Sequence, residues 1–200
     1  MISPLWVNKI VGVRSQARFL LVIEKDAVFT RLASSRFLDT FGPCIILTGR
    51  GYPDLATRAL LKKLAAGLGP EVPLLALVDC DPDGVSIFLT YRTGGLHHKR
   101  SHEDLAVGNH LRWAGLHCRQ LIGGGGQGLG RTLPLTLRDR KLLLSLLRSP
   151  DTAGIAGLRQ ELQLMMLLGM KAEIEALFGP QGDSNDSLIR GIVSDSDRWI

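Results

Sequence analysis

Residues Leu74-Leu-Ala-Leu-Val-Asp-Cys-Asp-Pro-Asp-Gly84 constrain this chain more than any other stretch. Five apolar residues run without a break into carboxylates at every second position, and a glycine follows. An uninterrupted apolar run suits a strand covered on both faces, as in a parallel sheet beneath helices. Asp79, Asp81 and Asp83 then fall at the strand's carboxyl end, the edge where open α/β sheets place their sites. Carboxylates crowded together repel one another, and a bound cation offsets that repulsion. Asp-Pro-Asp-Gly is also good turn chemistry, so on this stretch alone a turn and a metal site both stand.

The same pattern recurs upstream. Phe19–Ile23 is a second apolar run, and it ends on Glu24, with Lys25 and Asp26 next. Residues 27–40 read as a helix with Val28, Leu32 and Phe37 as inward positions. Cys44–Thr48 reads as the next strand, followed by Gly49-Arg-Gly-Tyr-Pro-Asp54. Asp54 can cap a helix in which Leu60, Leu61, Leu64 and Leu68 recur at helical spacing, and Gly69-Pro70 ends it. Strand, helix, strand, helix, strand at this pitch predicts an α/β fold: a mostly parallel central sheet flanked by helices on both faces.

Residues 1–18 show no clear period and are expected to be a linker or the remnant of an upstream domain. That leaves 19–200 as one α/β domain with a C-terminal helical extension. After Gly84 the run Val85–Thr90 continues as a helix, and 92–102 reads as a basic loop. Leu111, Trp113 and Gly115 suit a further strand, and Gly123–Gly130 a flexible spacer. Thr136 and Asp139 start a helix through Leu147, stopped by Pro150. Residues 155–178 read as one or two helices with Leu158, Leu162, Met165 and Leu168 on one face, most simply a core stripe.

Composition bounds the remaining classes. At 45% hydrophobic and 22% charged, 200 residues can bury an ordinary core. A net charge of +5 leans mildly towards a polyanionic partner. Cys44, Cys80 and Cys118 are odd in number and lack a CxxC pair, which argues against a disulfide framework or zinc site and fits a reducing compartment. Cys44 and Cys80 flank apolar runs and are expected to be buried thiols. No signal peptide opens the chain and no apolar run reaches membrane-helix length, so a soluble, intracellular protein is expected.

Strand ends of consecutive βα units converge on one edge, so Glu24, Asp79 and Asp81 could face one another across neighbouring strands. Three carboxylates form the hard oxygen set that Mg2+ prefers, and such an ion polarises a phosphate oxygen. Phosphodiester chemistry is the first reading. The residues also carry a family resemblance. Val22-Ile-Glu-Lys-Asp-Ala27, Thr48-Gly-Arg-Gly-Tyr-Pro-Asp-Leu-Ala-Thr-Arg58 and Leu77-Val-Asp-Cys-Asp-Pro-Asp-Gly84 resemble the Toprim domain of the meiotic double-strand-break proteins, relatives of the A subunit of DNA topoisomerase VI. Thr90-Tyr-Arg92, Leu111-Arg-Trp113, Leu133-Pro-Leu-Thr136, Glu161-Leu and Lys171-Ala-Glu-Ile-Glu-Ala-Leu177 continue it in order.

The resemblance implies a dimer that binds double-stranded DNA and attacks its backbone with a tyrosine, leaving a 5′-phosphotyrosyl link. It implies that Glu24, Asp79 and Asp81 hold Mg2+ beside the scissile phosphate, the tyrosine coming from one protomer and the metal from its partner. Asp83 lies outside the family's acid triplet and is expected to support it or the turn. A topoisomerase VI B-like subunit, accessory meiotic proteins and a nuclear, chromosomal location are implied as well. The family's nucleophile lies in a winged-helix domain upstream of Toprim. Tyr52 and Tyr91, the two tyrosines here, both fall inside Toprim motifs and read as turn and packing residues. The chain therefore looks like a fragment or partial product that cannot cut DNA alone.

Lys25 and Arg50, beside the acids, are the basic residues expected to meet DNA phosphates. Arg58, Lys62, Lys63, Arg92, Lys99 and Arg100 are weaker candidates. His97, His98 and His102 lack partners for a zinc set, and Gly123–Gly130 lacks the Lys-Ser/Thr of a phosphate loop. Two other readings compete: an Asp-x-Asp phosphatase of the haloacid dehalogenase type, and a non-catalytic DNA-binding or dimerising module. The phosphatase reading leaves Glu24 and Gly49–Asp54 unexplained.

Overall fold

A computed structural model describes residues 7, 9–94, 103–123, 132–178, 191–194 and 196–200. It divides into two compact units, Met1–Ala76 with Ile87–Arg112, and Leu77–Ser86 with Trp113–Ile200. The main sheet holds four strands: β1 Leu20–Ile23, β2 Ile45–Thr48, β3 Leu74–Leu77 and β4 Leu111–Gly115, in the order β2-β1-β3-β4. It is parallel and flanked by helices, the α/β class that the sequence predicts.

In the first unit β1 pairs with β2 from Leu20↔Ile45 to Ile23↔Thr48. Every residue of β1 and of β3 is buried, as the unbroken apolar runs require. The single helix expected over 27–40 is two helices, α1 Asp26–Ser34 and α2 Phe37–Phe41. Serines break it. Ser34 Oγ donates back to the Thr30 carbonyl at 2.8 Å and Ser35 Oγ to that of Leu32 at 3.0 Å. Ser35 turns extended, and its Oγ accepts the Phe37 N–H at 3.1 Å. Side-chain bonds to the backbone offer the chain an alternative to the helix ladder. Val28, Leu32 and Phe37 face inward as expected.

Helix α3, Leu55–Leu68, starts where Asp54 accepts the Thr57 N–H at 2.7 Å and stops at Gly69, whose φ is +84°. Leu61 is its fully buried leucine; Leu60, Leu64 and Leu68 are half-buried. Val7 is buried, and the carbonyls of Val7 and Ile10 accept from Lys63 Nζ at 2.7 and 3.2 Å. Helix α4, Pro82–Thr93, runs three residues past the predicted Val85–Thr90 and takes in Arg92. Cys44 is half-buried, not buried as expected, because its neighbours in β2 are themselves partly exposed.

In the second unit α5 Cys118–Gly123, α6 Leu137–Arg148, α7 Pro150–Ala153 and α8 Ala156–Leu168 pack together. Thr136 and Asp139 form a reciprocal capping box at the start of α6. Leu158, Leu162 and Met165 are fully buried, and Leu168 half-buried. Of the one or two helices expected over 155–178, α8 ends at Gly169 in the left-handed conformation, and a short 3-10 helix follows at Ile174–Leu177. Between the two, β6, Met170–Ala172, pairs antiparallel with β5, Thr132–Pro134. Neither three-residue strand has an apolar period, so only the pairing reveals them. Gly124–Gly130, the three loop histidines, Lys99 and Arg100 lie outside the described residues.

Candidate functional site

The first strand end is built by contacts with the end of β2 and the loop that follows it, about 24 residues along the chain. Glu24 follows β1 directly and is buried. Its carbonyl accepts the Gly51 N–H at 2.8 Å and lies 3.4 Å from the donating Thr48 hydroxyl. That ties the Gly49–Asp54 loop to the strand. Arg50 adopts φ +58°, a left-handed conformation unusual for a side-chain residue. Its N–H donates to Thr48 Oγ1 at 3.1 Å, and its Nε donates to Asp26 Oδ1 at 3.1 Å. Both side chains of that pair are at least half exposed. Lys25 precedes α1 and its carbonyl accepts the Phe29 N–H at 3.0 Å.

Beneath the loop lies Tyr91. It is 1% exposed, and its hydroxyl has no hydrogen-bond partner among the described residues. Gly49 is needed there: a Cβ would fall 2.4 Å from that hydroxyl. Burial, then the Asp54 charge, pushes the Tyr91 phenol well above its usual range, against the opposing effect of Arg58. Tyr91 is thus a core residue, while Tyr52 in the turn is 53% exposed.

The second strand end is built by long-range contacts. Asp79 is buried, and its Oδ1 accepts the Ile174 N–H at 2.8 Å. Cys80 exchanges backbone bonds of 2.9 and 3.1 Å with Ala172. Asp81 Oδ1 accepts the Gly84 N–H at 2.7 Å, which caps α4, with Pro82 at the first helical position. Gly84 is required by close approach: a Cβ would lie 2.4 Å from the Asp79 carbonyl oxygen. Burial raises the Asp81 carboxyl above its ordinary range; the Gly84 N–H opposes this and Asp83 adds to it. Asp83 makes a 3.6 Å ion pair with Arg138.

Sequence reasoning missed the cation on this side. Lys171 Nζ pairs with Asp139 Oδ2 at 2.9 Å. Burial opposes its charge, but Asp139, Asp81 and Asp83 raise its pKa above the usual lysine range. Register alone places Lys171 here, opposite Leu133 in the β5-β6 pair. Glu161 stands out in the sequence only as part of a pattern; it is buried, accepts the Cys118 N–H at 2.7 Å and pairs with Arg119. Two basic candidates are corrected. Arg58 is buried, and Arg92 donates to the Leu111 carbonyl at 2.6 Å and to Asn109 at 2.9 Å, so both serve the fold. Lys62 and Lys63 likewise reach backbone carbonyls.

Among the described residues, no group of three or more His, Cys, Asp or Glu side chains is arranged to hold a metal ion. The donor chemistry of Asp79 and Asp81 still suits one. Both are hard oxygen ligands, and the ionised form of Asp81 is disfavoured where it stands, which a divalent cation would offset. Among the same residues no helix is long and apolar enough to cross a membrane.

The sequence matches, over residues 19–184, the family model of the Toprim domain of Spo11 and of the topoisomerase 6 A subunit. It is 39% identical over 175 residues to the human protein named meiotic recombination protein SPO11, covering 85% of this chain and 43% of that one. It is 38% identical over 171 residues to the A3 subunit of DNA topoisomerase 6 from Oryza sativa subsp. indica, covering 86% and 38%. The A subunit of DNA topoisomerase 6 from Arabidopsis thaliana is 36% identical over 171 residues, covering 86% and 39%. The chain thus spans less than half the length of these relatives. The expected resemblance holds, and the phosphatase reading falls: the chain belongs to the Toprim family of Spo11 and the topoisomerase 6 A subunit.

Proposed function

We propose that Glu24, Asp79 and Asp81 hold a Mg2+ ion, and that the chain serves in making meiotic DNA double-strand breaks. The observation that carries this reading is the β3 end. Two carboxylates flank one residue there, each held in place by a backbone N–H, Ile174 for Asp79 and Gly84 for Asp81. Glu24 supports it by its place directly after β1, next to β3 in the sheet order. When bound, the ion would polarise and orient a phosphate oxygen of the DNA backbone. The residues' own task is to keep charge and orientation fixed. Lys25 and Arg50 would meet neighbouring phosphates, with Arg50 exchanging its exposed Asp26 pair for one.

The nucleophile is a tyrosine other than the two present. Tyr91 is buried with its phenol held protonated, and Tyr52 belongs to the turn that follows Arg50. The active unit would be a homodimer on double-stranded DNA, joined by a topoisomerase VI B-like subunit, with accessory meiotic proteins, in the nucleus. A second reading has its own support. Asp79 and Asp81 each already satisfy a backbone N–H, so they could be kept as architecture in a DNA-binding or dimerising module.

A calorimetric Mg2+ titration with short duplex DNA separates the two, using the wild type and Asp79→Asn. The asparagine keeps an oxygen for the Ile174 N–H and removes the charge. Saturable binding that Asp79→Asn abolishes, with unfolding temperature unchanged, is the expected result. Binding that is absent, or equal in the variant, would leave the acids as architecture.

A further inference from the structure

We propose that Cys80 and Cys118 form an oxidisable dithiol, a modification site that closes to an intramolecular disulfide under a peroxide. The two sulfurs lie 3.2 Å apart, in contact across 38 residues of sequence. Both side chains are fully buried, and each thiol has the other as its neighbour. A disulfide needs a further approach of about 1.2 Å, to roughly 2.05 Å. Cys80 sits just past the end of β3, between Asp79 and Asp81, and Cys118 opens α5. The third thiol, Cys44, is half-buried on the other unit and offers an internal control.

The chemistry balances with hydrogen peroxide as the oxidant. One thiol gives up its proton and attacks a peroxide oxygen, and the O–O bond breaks. A sulfenic acid results, and the departing hydroxide takes up the proton as water. The second thiol then attacks the sulfenic sulfur, the S–O bond breaks, and a second water leaves. Two thiols are oxidised, one peroxide is reduced, and two waters are released. Both thiols are fully buried, and each is next along the chain to a residue that reaches solvent, half-exposed Asp81 and exposed Arg119. A dithiol reductant would reverse the bond. The proposal stands on the thiol pair alone and does not depend on metal binding or DNA.

The test is oxidation of the full chain with hydrogen peroxide, then alkylation under denaturing conditions and peptide mass mapping. The expected product is a Cys80–Cys118 linked peptide, lost on adding dithiothreitol, while Cys44 remains alkylatable. Cys80→Ala should leave Cys118 either alkylated or as a sulfenic acid and give no linked peptide. Oxidised wild type should also show a raised unfolding temperature, since a cross-link over a long loop restricts the unfolded chain. Failure of the linked peptide to form in folded protein, or its appearance only after denaturation, would overturn the proposal. Preferential oxidation of Cys44 would do the same.

Discussion

Glu24 and Asp79 each stand just past a fully buried strand, yet different parts of the chain secure them. Around Glu24 the partners are a neighbouring loop: Thr48, Gly51 and the exposed Arg50–Asp26 pair. Around Asp79 they come from far along the chain. Ile174 lies 95 residues away, and Ala172 pairs with Cys80. At the first end Glu24 is buried, while the Arg50–Asp26 pair of the adjoining loop reaches water. The second is a buried clamp in which backbone, carboxylate and helix cap share a few ångströms. A clamp of that kind fixes ligands more rigidly than a solvated turn, and it has less room to absorb change.

A matched pair of glycine substitutions probes this contrast hardest. Gly84→Ala places a Cβ against unyielding backbone, 2.4 Å from the Asp79 carbonyl oxygen. Overpacking of that kind is expected to cost about 3 kcal/mol. Gly51→Ala meets open space and suffers only from its φ of +95°, a penalty of about 1 kcal/mol. Urea unfolding of both variants checks the ranking; equal losses would erase the distinction between the two ends.

Acid should also weaken the second unit first. His117 is fully buried and packs edge-on against Trp113, ring centroids 4.6 Å apart. Its Nε2–H donates to the Trp113 carbonyl at 3.2 Å, while Nδ1 has no partner among the described residues. Burial, with Arg119 adding to it, lowers its pKa to about 3. A depressed folded pKa means the stabilisation is present above the ordinary histidine range and fades as pH falls from there towards 3. The expected slope is about 1.4 kcal/mol per pH unit. His117→Gln should flatten that slope in unfolding free energies measured between neutral and acid pH.

Asp139 gives a smaller effect of the same sign at lower pH. Burial alone would raise its carboxyl, but the Lys171 pair and the Thr136 cap together hold it below the usual range. Asp139→Asn should therefore destabilise by about 1–2 kcal/mol at neutral pH. The difference should shrink as pH falls through the carboxylate's folded pKa, where the wild type loses the same charge. Tyr91→Phe in the first unit is the mildest. Its hydroxyl is buried without a partner among the described residues, so removing it should leave stability within about 0.5 kcal/mol of wild type, or raise it.

The difference between the ends also explains what could be read from the chain. Asp54 as a cap, the Thr136–Asp139 box and the buried runs of β1 and β3 obey rules written over a few residues, and each was legible. The strand ends that carry Glu24 and Asp79 were legible too, because strand ends in consecutive βα units are easy to place. Lys171 was not. Its position beside Asp139 follows from a three-residue strand pairing with another three-residue strand, which no local pattern announces. The Cys80–Cys118 contact and the Ile174 clamp were hidden for the same reason. Arg58 and Arg92 misled because a basic side chain reads as solvated until its buried surroundings are known.

If the acids of both strand ends serve one ion, a paramagnetic substitute should report on both ends at once. Mn2+ shares the oxygen preference of Mg2+ and broadens the NMR signals of nuclei close to it. The decisive experiment is the amide spectrum of the full chain titrated with stoichiometric Mn2+, in wild type and Asp79→Asn. A shared ion requires that Gly51 and Gly84 broaden together in the wild type, and that neither broadens in the variant. Broadening at one glycine alone, or at both despite Asp79→Asn, would refute the shared site.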